Sequence, residues 1–325
     1  MALIVLKFGG SSLAGARLFA TAEKIAAARL AGDDVIAVLS ARGNTTDRLL
    51  EEARTLCADP PPRELDLLLS TGEQVSAAHM AMALSRRGCP AVALTGWQAG
   101  IRTDGCFGNA QVHHVTGNRI RRALAAGNAV LVTGFQGISE EGDITTLGRG
   151  GSDTTAVALA AFLQADACKI YTDVDGVYTA DPRELPEAHK LSAVSYADML
   201  EMAEQGARVL HSRCVSLAQT HGLTFEVCSA FEPLPGTRIT AEEARRFCGV
   251  AIRRGIRLPR QTQPAAAVSL IGAGCAEEET AIQVLRAMAK LTLLQIARRE
   301  RSITVYVPET EAVDAARALH YLYLS

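Results

Sequence analysis

Short apolar runs alternate with longer stretches of helical spacing from the first residues to about Thr240. Residues 2–6, 35–40, 91–94, 129–133, 169–172 and 224–228 are runs of strand length, apolar at nearly every position. Residues 22–30 (inside the alanine-rich segment 17–30), 73–86, 113–126, 154–163 and 196–204 repeat apolar residues at helical intervals. Strands without strict alternation are buried on both faces, and helices placed between them supply the cover. The pattern predicts an α/β fold: a mostly parallel sheet sandwiched by helices. The pattern changes after Pro235-Gly236-Thr237. A charged helix is expected at 241–246, then a strand at 266–271 and a helix at 277–290. Strands at 291–297 and 302–307 flank a charged turn at 298–301, and a helix follows at 309–320. Residues 249–258 supply one further strand. This second region reads as a small α+β domain, giving domains 1–245 and 246–325.

Glycines punctuate the first region at places that suit anion binding. In TLGRGGSDTTAVALA, Gly148, Gly150 and Gly151 surround Arg149, and a helix opens at Ser152 or Asp153. Glycine lets the backbone come close to a ligand, and the free N–H groups of a helix start favour negative charge. Arg149 adds a planar cation for carboxylate or phosphate. At the start of the chain, VLKFGGSS runs from an apolar strand through Lys7 to Gly9, Gly10, Ser11 and Ser12. Its lysine precedes the glycines, unlike the P-loop order, in which lysine follows them. In CKIYTDVDGVYTADPR, Thr172, Asp173, Tyr178 and Arg183 follow a buried strand, where open α/β sheets hold ligands. For a single glycine pair a capped turn is the commoner explanation, and turn capping alone would explain the aspartates.

Composition narrows the class. The chain has 325 residues, 48% hydrophobic and 21% charged, as an ordinary globular protein has. A net charge of −2 leaves no footprint for nucleic acid or an acidic membrane. No apolar run reaches membrane length, and MALIVLKF reads as a first strand rather than a signal peptide. Eight cysteines without a C-x-x-C pair read as reduced packing residues in the cytoplasm, with no metal cluster.

Together these pieces resemble one family, the aspartate kinases of the amino-acid-kinase superfamily. The same resemblance extends through LSARGNTTDRL, LLSTGEQVS, GWQAGIRTD and GARVLH, and covers residues 3–237. It implies transfer of the γ-phosphoryl of ATP to the side-chain carboxylate of L-aspartate, with Mg²⁺ bridging phosphate oxygens. It implies that Lys7 stabilises the transferring group, that Asp153 orients Lys7 or the substrate amine, and that Gly9, Gly10, Ser11, Gly150 and Gly151 cradle phosphate. Thr46, Glu73, Arg149 and Ser152 fall in its amino-acid pocket, and Thr172, Asp173, Tyr178, Arg183 and Arg208 on its nucleotide side. Arg208 stands where the family usually has lysine, which keeps the charge but changes the geometry. No protein ligand is assigned to Mg²⁺.

The second region departs from the family pattern. Aspartate kinases usually carry two tandem ACT modules, small units that sense amino acids, and here there is room for one. The Pro-Gly turn that commonly holds the effector does not occur after Ala266; Ala276-Glu277-Glu278-Glu279 stands at the helix start. Three carboxylates repel an amino acid's carboxylate, so feedback inhibition by lysine or threonine is expected to be weak or absent. A homodimer is expected. Two other readings stand beside this one. The first is a sister kinase acting on glutamate, N-acetylglutamate or carbamate; the second is a silent amino-acid-binding or partner subunit.

Overall fold

The computed structural model describes residues 1–207, 209–243, 245–259 and 263–324. In chain order, the first elements are β1 (Leu3–Phe8), α1 (Arg17–Leu30), β2 (Asp34–Leu39), α2 (Thr45–Leu56), α3 (Pro62–Leu69) and α4 (Thr71–Ser85). Next come β3 (Ala91–Leu94), α5 (Gly96–Ala99), β4 (Ile101–Thr103), β5 (Val112–Val115), α6 (Asn118–Ala125) and β6 (Ala129–Thr133). Then follow β7 (Gln136–Ile138), β8 (Ile144–Thr146), α7 (Gly151–Leu163), β9 (Ala167–Thr172), β10 (Ala193–Ser195), α8 (Tyr196–Glu204) and α9 (Ser212–His221). The remainder is β11 (Phe225–Ser229), β12 (Thr237–Thr240), β13 (Gly249–Ile256), β14 (Ala265–Ile271), α10 (Glu278–Ala287), β15 (Gln295–Arg298), β16 (Ser302–Pro308) and α11 (Ala312–Tyr323). The chain divides into two compact units, residues 1–175 with 220–235 and residues 176–219 with 236–325.

The first unit is built on parallel strands in the order β11-β9-β1-β2-β6-β3. Alternation along each strand divides its side chains between two faces. Leu6 and Phe8 of β1, Val35, Ala37 and Leu39 of β2, and Leu131 of β6 share a core with Ile25 of α1 and Met80 and Leu84 of α4. Burying each large aliphatic side chain contributes about 1.5–3 kcal/mol. The opposite face is covered by α7, which packs on β1, β9 and β2. α7 is buried almost all round, as its run of alanine, valine and leucine requires. The expected α/β sandwich is therefore present.

Beside it lies a small sheet of order β5-β4-β7-β8, in which only β4 and β7 run parallel. Its presence corrects the helix expected over 113–126. His113 and His114 lie in β5, and only 118–125 is helical. Gly117 breaks the pattern with φ +63°, and a Cβ there would sit 2.3 Å from Leu163 Cδ2. An edge-to-face ring contact also ties His114 to Phe162 on α7, with centroids 5.5 Å apart.

In the second unit, β10 and β12 pair in parallel, and a four-stranded antiparallel sheet has the order β13-β14-β16-β15. α10 and α11 share one core with Val250, Val268, Leu270, Ile303 and Val305 from one face of that sheet. The strand supplied from before the module is β13, which pairs antiparallel with β14. The helix expected at 241–246 does not form among the described residues there. A segment that short cannot repay helix nucleation unless packing helps it, and its described side chains are exposed up to Arg246.

Candidate active site

The parallel strands end at a common edge, joined by hydrogen bonds just past their last residues. Gly9 N donates to Tyr171 O (3.4 Å), Ser40 N to Phe8 O (3.2 Å) and Gly134 N to Leu39 O (2.9 Å). The loops after β9, β1, β2 and β6 therefore start side by side, at the edge where open parallel sheets hold ligands.

Lys7 is the next-to-last residue of β1. Its neighbours Leu6 and Phe8 point into the α1–α4 core, so Lys7 points to the α7 face. There its Nζ lies 2.6 Å from Asp153 Oδ1, in the first turn of α7, with both side chains largely buried. The ammonium also lies 3.7 Å from where a Gly9 Cβ would stand, so it overhangs the glycine loop. That loop enters a short 3-10 turn, Gly10–Leu13, whose first amides have no partner within the turn. Gly10 cannot carry a side chain, because a Cβ would meet Ala41 O at 2.4 Å.

The start of α7 faces the same edge. Gly150 adopts φ +72° as its N-cap, and no side chain caps the helix. Gly134 touches Ser152 so closely that a Cβ would lie 2.6 Å from Ser152 Oγ. Gly151 is held against Phe135. Arg149, in the loop before α7, is exposed. The amides of Ser152 and Asp153 thus start a buried helix whose dipole favours an anion.

Glu73 enters from α4. It is only 3% exposed, and Oε1 accepts the Ala41 amide (3.0 Å) in the loop after β2. Its Oε2 is buried and has no hydrogen-bond partner among the described residues. Burial, opposed by the Ala41 amide, pushes its carboxyl up to about 8 and so favours its protonated form near neutral pH. Thr46 sits in the first turn of α2, one residue past the helix start, so it is not the N-cap; that place belongs to Asn44. A Cβ at Gly72 would meet Ala41 Cβ at 3.0 Å and Thr45 Cγ2 at 3.5 Å, so the starts of α2 and α4 meet at Ala41.

The remaining candidates fall in two places. Thr172 ends β9, and its Oγ1 donates to Asp173 Oδ1 (3.0 Å) in the exposed turn beyond. Thr172 O accepts the amide of Ala230, which follows β11. Tyr178 and Arg183 belong to the second unit. Tyr178 bridges to Lys190, and Arg183 Nη2 pairs with Asp181 Oδ2 at 2.7 Å. Arg208 lies outside the described residues.

Several buried polar residues that frame the site escape sequence reasoning. Asp66 of α3 is 1% exposed and accepts Gly108 N (2.9 and 3.1 Å), Thr146 N (2.7 Å) and Thr146 Oγ1 (2.7 Å). Gln136 is fully buried and its Nε2 donates to Ser70 O (2.9 Å). An acid inside the apolar run RELDLLLS is a signal for Asp66; nothing local marks Gln136. All eight cysteines are free thiols, and burial pushes Cys168 and Cys275 up to about 12. Among the described residues no group of three or more His, Cys, Asp and Glu side chains could hold a metal ion, and no helix is long and apolar enough to cross a membrane.

Known proteins share both this sequence and this architecture. Residues 2–229 match the family model of the amino acid kinase family. The aspartokinase of Mycolicibacterium smegmatis is 54% identical over 239 residues, 73% of this chain and 57% of that protein. That of Bacillus sp. (strain MGA3) is 51% identical over 243 residues, 74% of this chain and 59% of its own. The chain thus spans less than two thirds of the length of these relatives. The crystal structure of E. coli aspartokinase III in complex with aspartate and ADP (R-state) has the same fold, with a TM-score of 0.80 at 22% identity. That likeness covers 98% of this chain and 99% of that one.

Proposed function

This chain belongs to the amino acid kinase family, and on that premise we propose that it is an aspartate kinase, forming 4-phospho-L-aspartate from ATP and L-aspartate. The observation that carries the reading is the Lys7–Asp153 pair beside two glycine loops, with Glu73 buried behind them. A bond forms from a side-chain carboxylate oxygen of aspartate to the γ-phosphorus, and the bond from that phosphorus to the ADP oxygen breaks. The acceptor is ionised at neutral pH, so no general base is required. What the protein must supply is alignment of two anions and cancellation of their charge.

Lys7 does the second, placing an ammonium over the Gly9–Ser11 loop. Asp153 fixes its position at 2.6 Å. The amides of Gly10 and Ser11, and those at the start of α7 after Gly150 and Gly151, receive phosphate oxygens. Arg149 takes one substrate carboxylate bidentately and Thr46 and Ser152 donate to it. Glu73 takes the ammonium through Oε2, which no described residue engages. Thr172, Asp173, Tyr178, Arg183 and Arg208 make the nucleotide side. Mg²⁺, when bound with the nucleotide, would supply positive charge to the phosphate oxygens, and no residue of the chain is assigned to hold it.

The second region, 246–325, is read as one ACT-like domain. Glu278 and Glu279 occupy the first turn of α10, and Glu277 precedes them in an ion pair with Arg246. This acidic helix start disfavours a bound amino-acid carboxylate, so lysine and threonine should inhibit weakly or not at all. We place the enzyme in the cytoplasm, as a homodimer.

Glu73 and Arg149 together favour a free α-amino acid over an acetylated or amine-free acceptor. Trapping of acyl phosphate with hydroxylamine against a panel of acids tests this. Product with aspartate supports it, product only with another acid moves the function to a sister kinase, and no product with any acid favours a silent subunit.

A further inference from the structure

We propose that Asp66 is a positioning residue that fixes the distance between the ammonium clamp and the carboxylate clamp, and so the length of amino acid accepted. The inference rests on the assignment of Glu73 and Arg149 to the acceptor pocket.

The two clamps stand on separate elements. Glu73 is in the first turn of α4, three residues beyond Ser70, which joins α3 to α4. Arg149 is three residues beyond Thr146, the last residue of β8. The parallel sheet holds α4 on one side, and α3 and the β7–β8 hairpin tie the two segments directly to each other. Gln136 of β7 and Thr146 of β8 are direct cross-strand partners. Thr146 holds Asp66 through its amide and its hydroxyl, both at 2.7 Å. Gln136 holds the carbonyl of Ser70, one helical turn further along α3, at 2.9 Å. One strand pair thus grips α3 and the Ser70 junction at its end, from which α4 begins and carries Glu73.

The chemistry of the grip demands a carboxylate. Three donors converge on Asp66, the amides of Gly108 and Thr146 and the Thr146 hydroxyl, and each oxygen accepts more than one of them. An amide side chain would turn an NH₂ toward one of those donors, leaving both unsatisfied in a buried place. Burial pushes the Asp66 carboxyl up, and the three donors oppose that. The hairpin then passes the constraint on: Leu147 N donates to Phe135 O (2.8 Å), and Gly151 rests on Phe135, which itself holds φ +72°.

Aspartate and glutamate differ by one methylene, which a fitted pocket discriminates by roughly 10–200-fold. Loosening the spacing should erode that ratio before it affects nucleotide binding. The experiment is steady-state hydroxamate kinetics on the full chain with aspartate and with glutamate. It compares wild type, Asp66→Asn, Thr146→Val and Thr146→Ser, with Tm measured for each. The expected result is a fall of about fivefold or more in the aspartate-to-glutamate ratio of kcat/KM for Asp66→Asn, within the range a methylene commands. The aspartate KM should rise while the ATP KM stays unchanged. Thr146→Val should move the same way by less, and Thr146→Ser, which keeps the hydroxyl, should restore the ratio. If Asp66→Asn does not fold, the Thr146 pair decides. A lowered Tm with the ratio unchanged, or acceptor and ATP KM rising in step, overturns the proposal and leaves the kinase assignment standing. A wild type inactive on both acids overturns the assignment and this inference with it.

Discussion

In the proposed reaction, removing the Lys7 ammonium takes a positive charge from the developing transition state, and it leaves Asp153 unpaired in a largely buried place. Lys7→Ala should lower kcat about 10²–10³-fold, by analogy with loss of one oxyanion donor. The hydroxamate rate measures it, and an ATP KM that changes little would place the loss in the transition state. Glu73 faces opposing demands of stability and binding. Its carboxyl has an ordinary value of 4.5 and rises to about 8 when folded, because burial disfavours the charge. Between those two values the native state holds a proton that the unfolded chain has lost, so stability falls as pH rises through that window. Glu73→Gln should remove this decline, and its Tm advantage over wild type should grow from pH 5 to pH 8.5. The same substitution should raise the aspartate KM steeply, since only the ionised form pairs with an ammonium. In the wild type the aspartate KM should fall as pH climbs toward 8. At this scale the sequence exposed the residues that sit in motifs, Lys7, Glu73 and Arg149. Asp66 and Gln136 stayed hidden because their partners lie 42 or more residues away along the chain.

The elements that carry the site were legible where apolar runs were long. β2, β3, β6, β9 and β11 emerge within a residue or two of their expected bounds, because apolar side chains dominate them and β2 and β6 are buried along nearly their whole length. The small sheet was not legible. Its strands β4, β5, β7 and β8 span only three or four residues and include arginine, histidine, glutamine and threonine, so no period emerges. In that sheet tertiary pairing decides the conformation, and the helical pattern of 113–126 is overruled by it. Where the elements end matters as much as where they run. Gly10 lies so close to Ala41 O that Gly10→Ala forces the loop after β1 away from the loop after β2. Overpacking of that kind costs about 1–3 kcal/mol. Thermal melting should show a drop of about 2–4 °C for each kcal/mol lost. The drop in kcat should exceed what the unfolded fraction explains, because the displaced amides are those assigned to phosphate in the proposed reaction.

At the scale of the molecule, the chain combines one unit that holds Lys7, Glu73 and Arg149 with a second that anchors the segment bearing Tyr178 and Arg183. Within that second unit the anchor is Thr179. Its carbonyl accepts Val250 N of β13 (2.7 Å), and its hydroxyl bonds His320 Nε2 of α11 (2.8 Å). His320 is fully buried, and burial with the neighbouring His189 holds its imidazole below 6.5, against the pull of Glu187. The unfolded chain therefore binds the proton first, so stability is level above about pH 6.5 and falls as pH drops below it. His320→Gln should flatten that acid decline when Tm is followed from pH 7.5 to pH 5.5. The α/β sandwich, with helices on both faces of a parallel sheet, could be read from periodicity, and the family from its motifs. The division of the chain was not legible, since nothing local in residues 176–219 marks them as packing with the C-terminal strands. The assay that decides the central claim is hydroxamate formation from ATP, Mg²⁺ and L-aspartate, with and without lysine plus threonine. The account predicts aspartyl hydroxamate at equal rates in both. Product that forms only with another acid, or none at all, would contradict it.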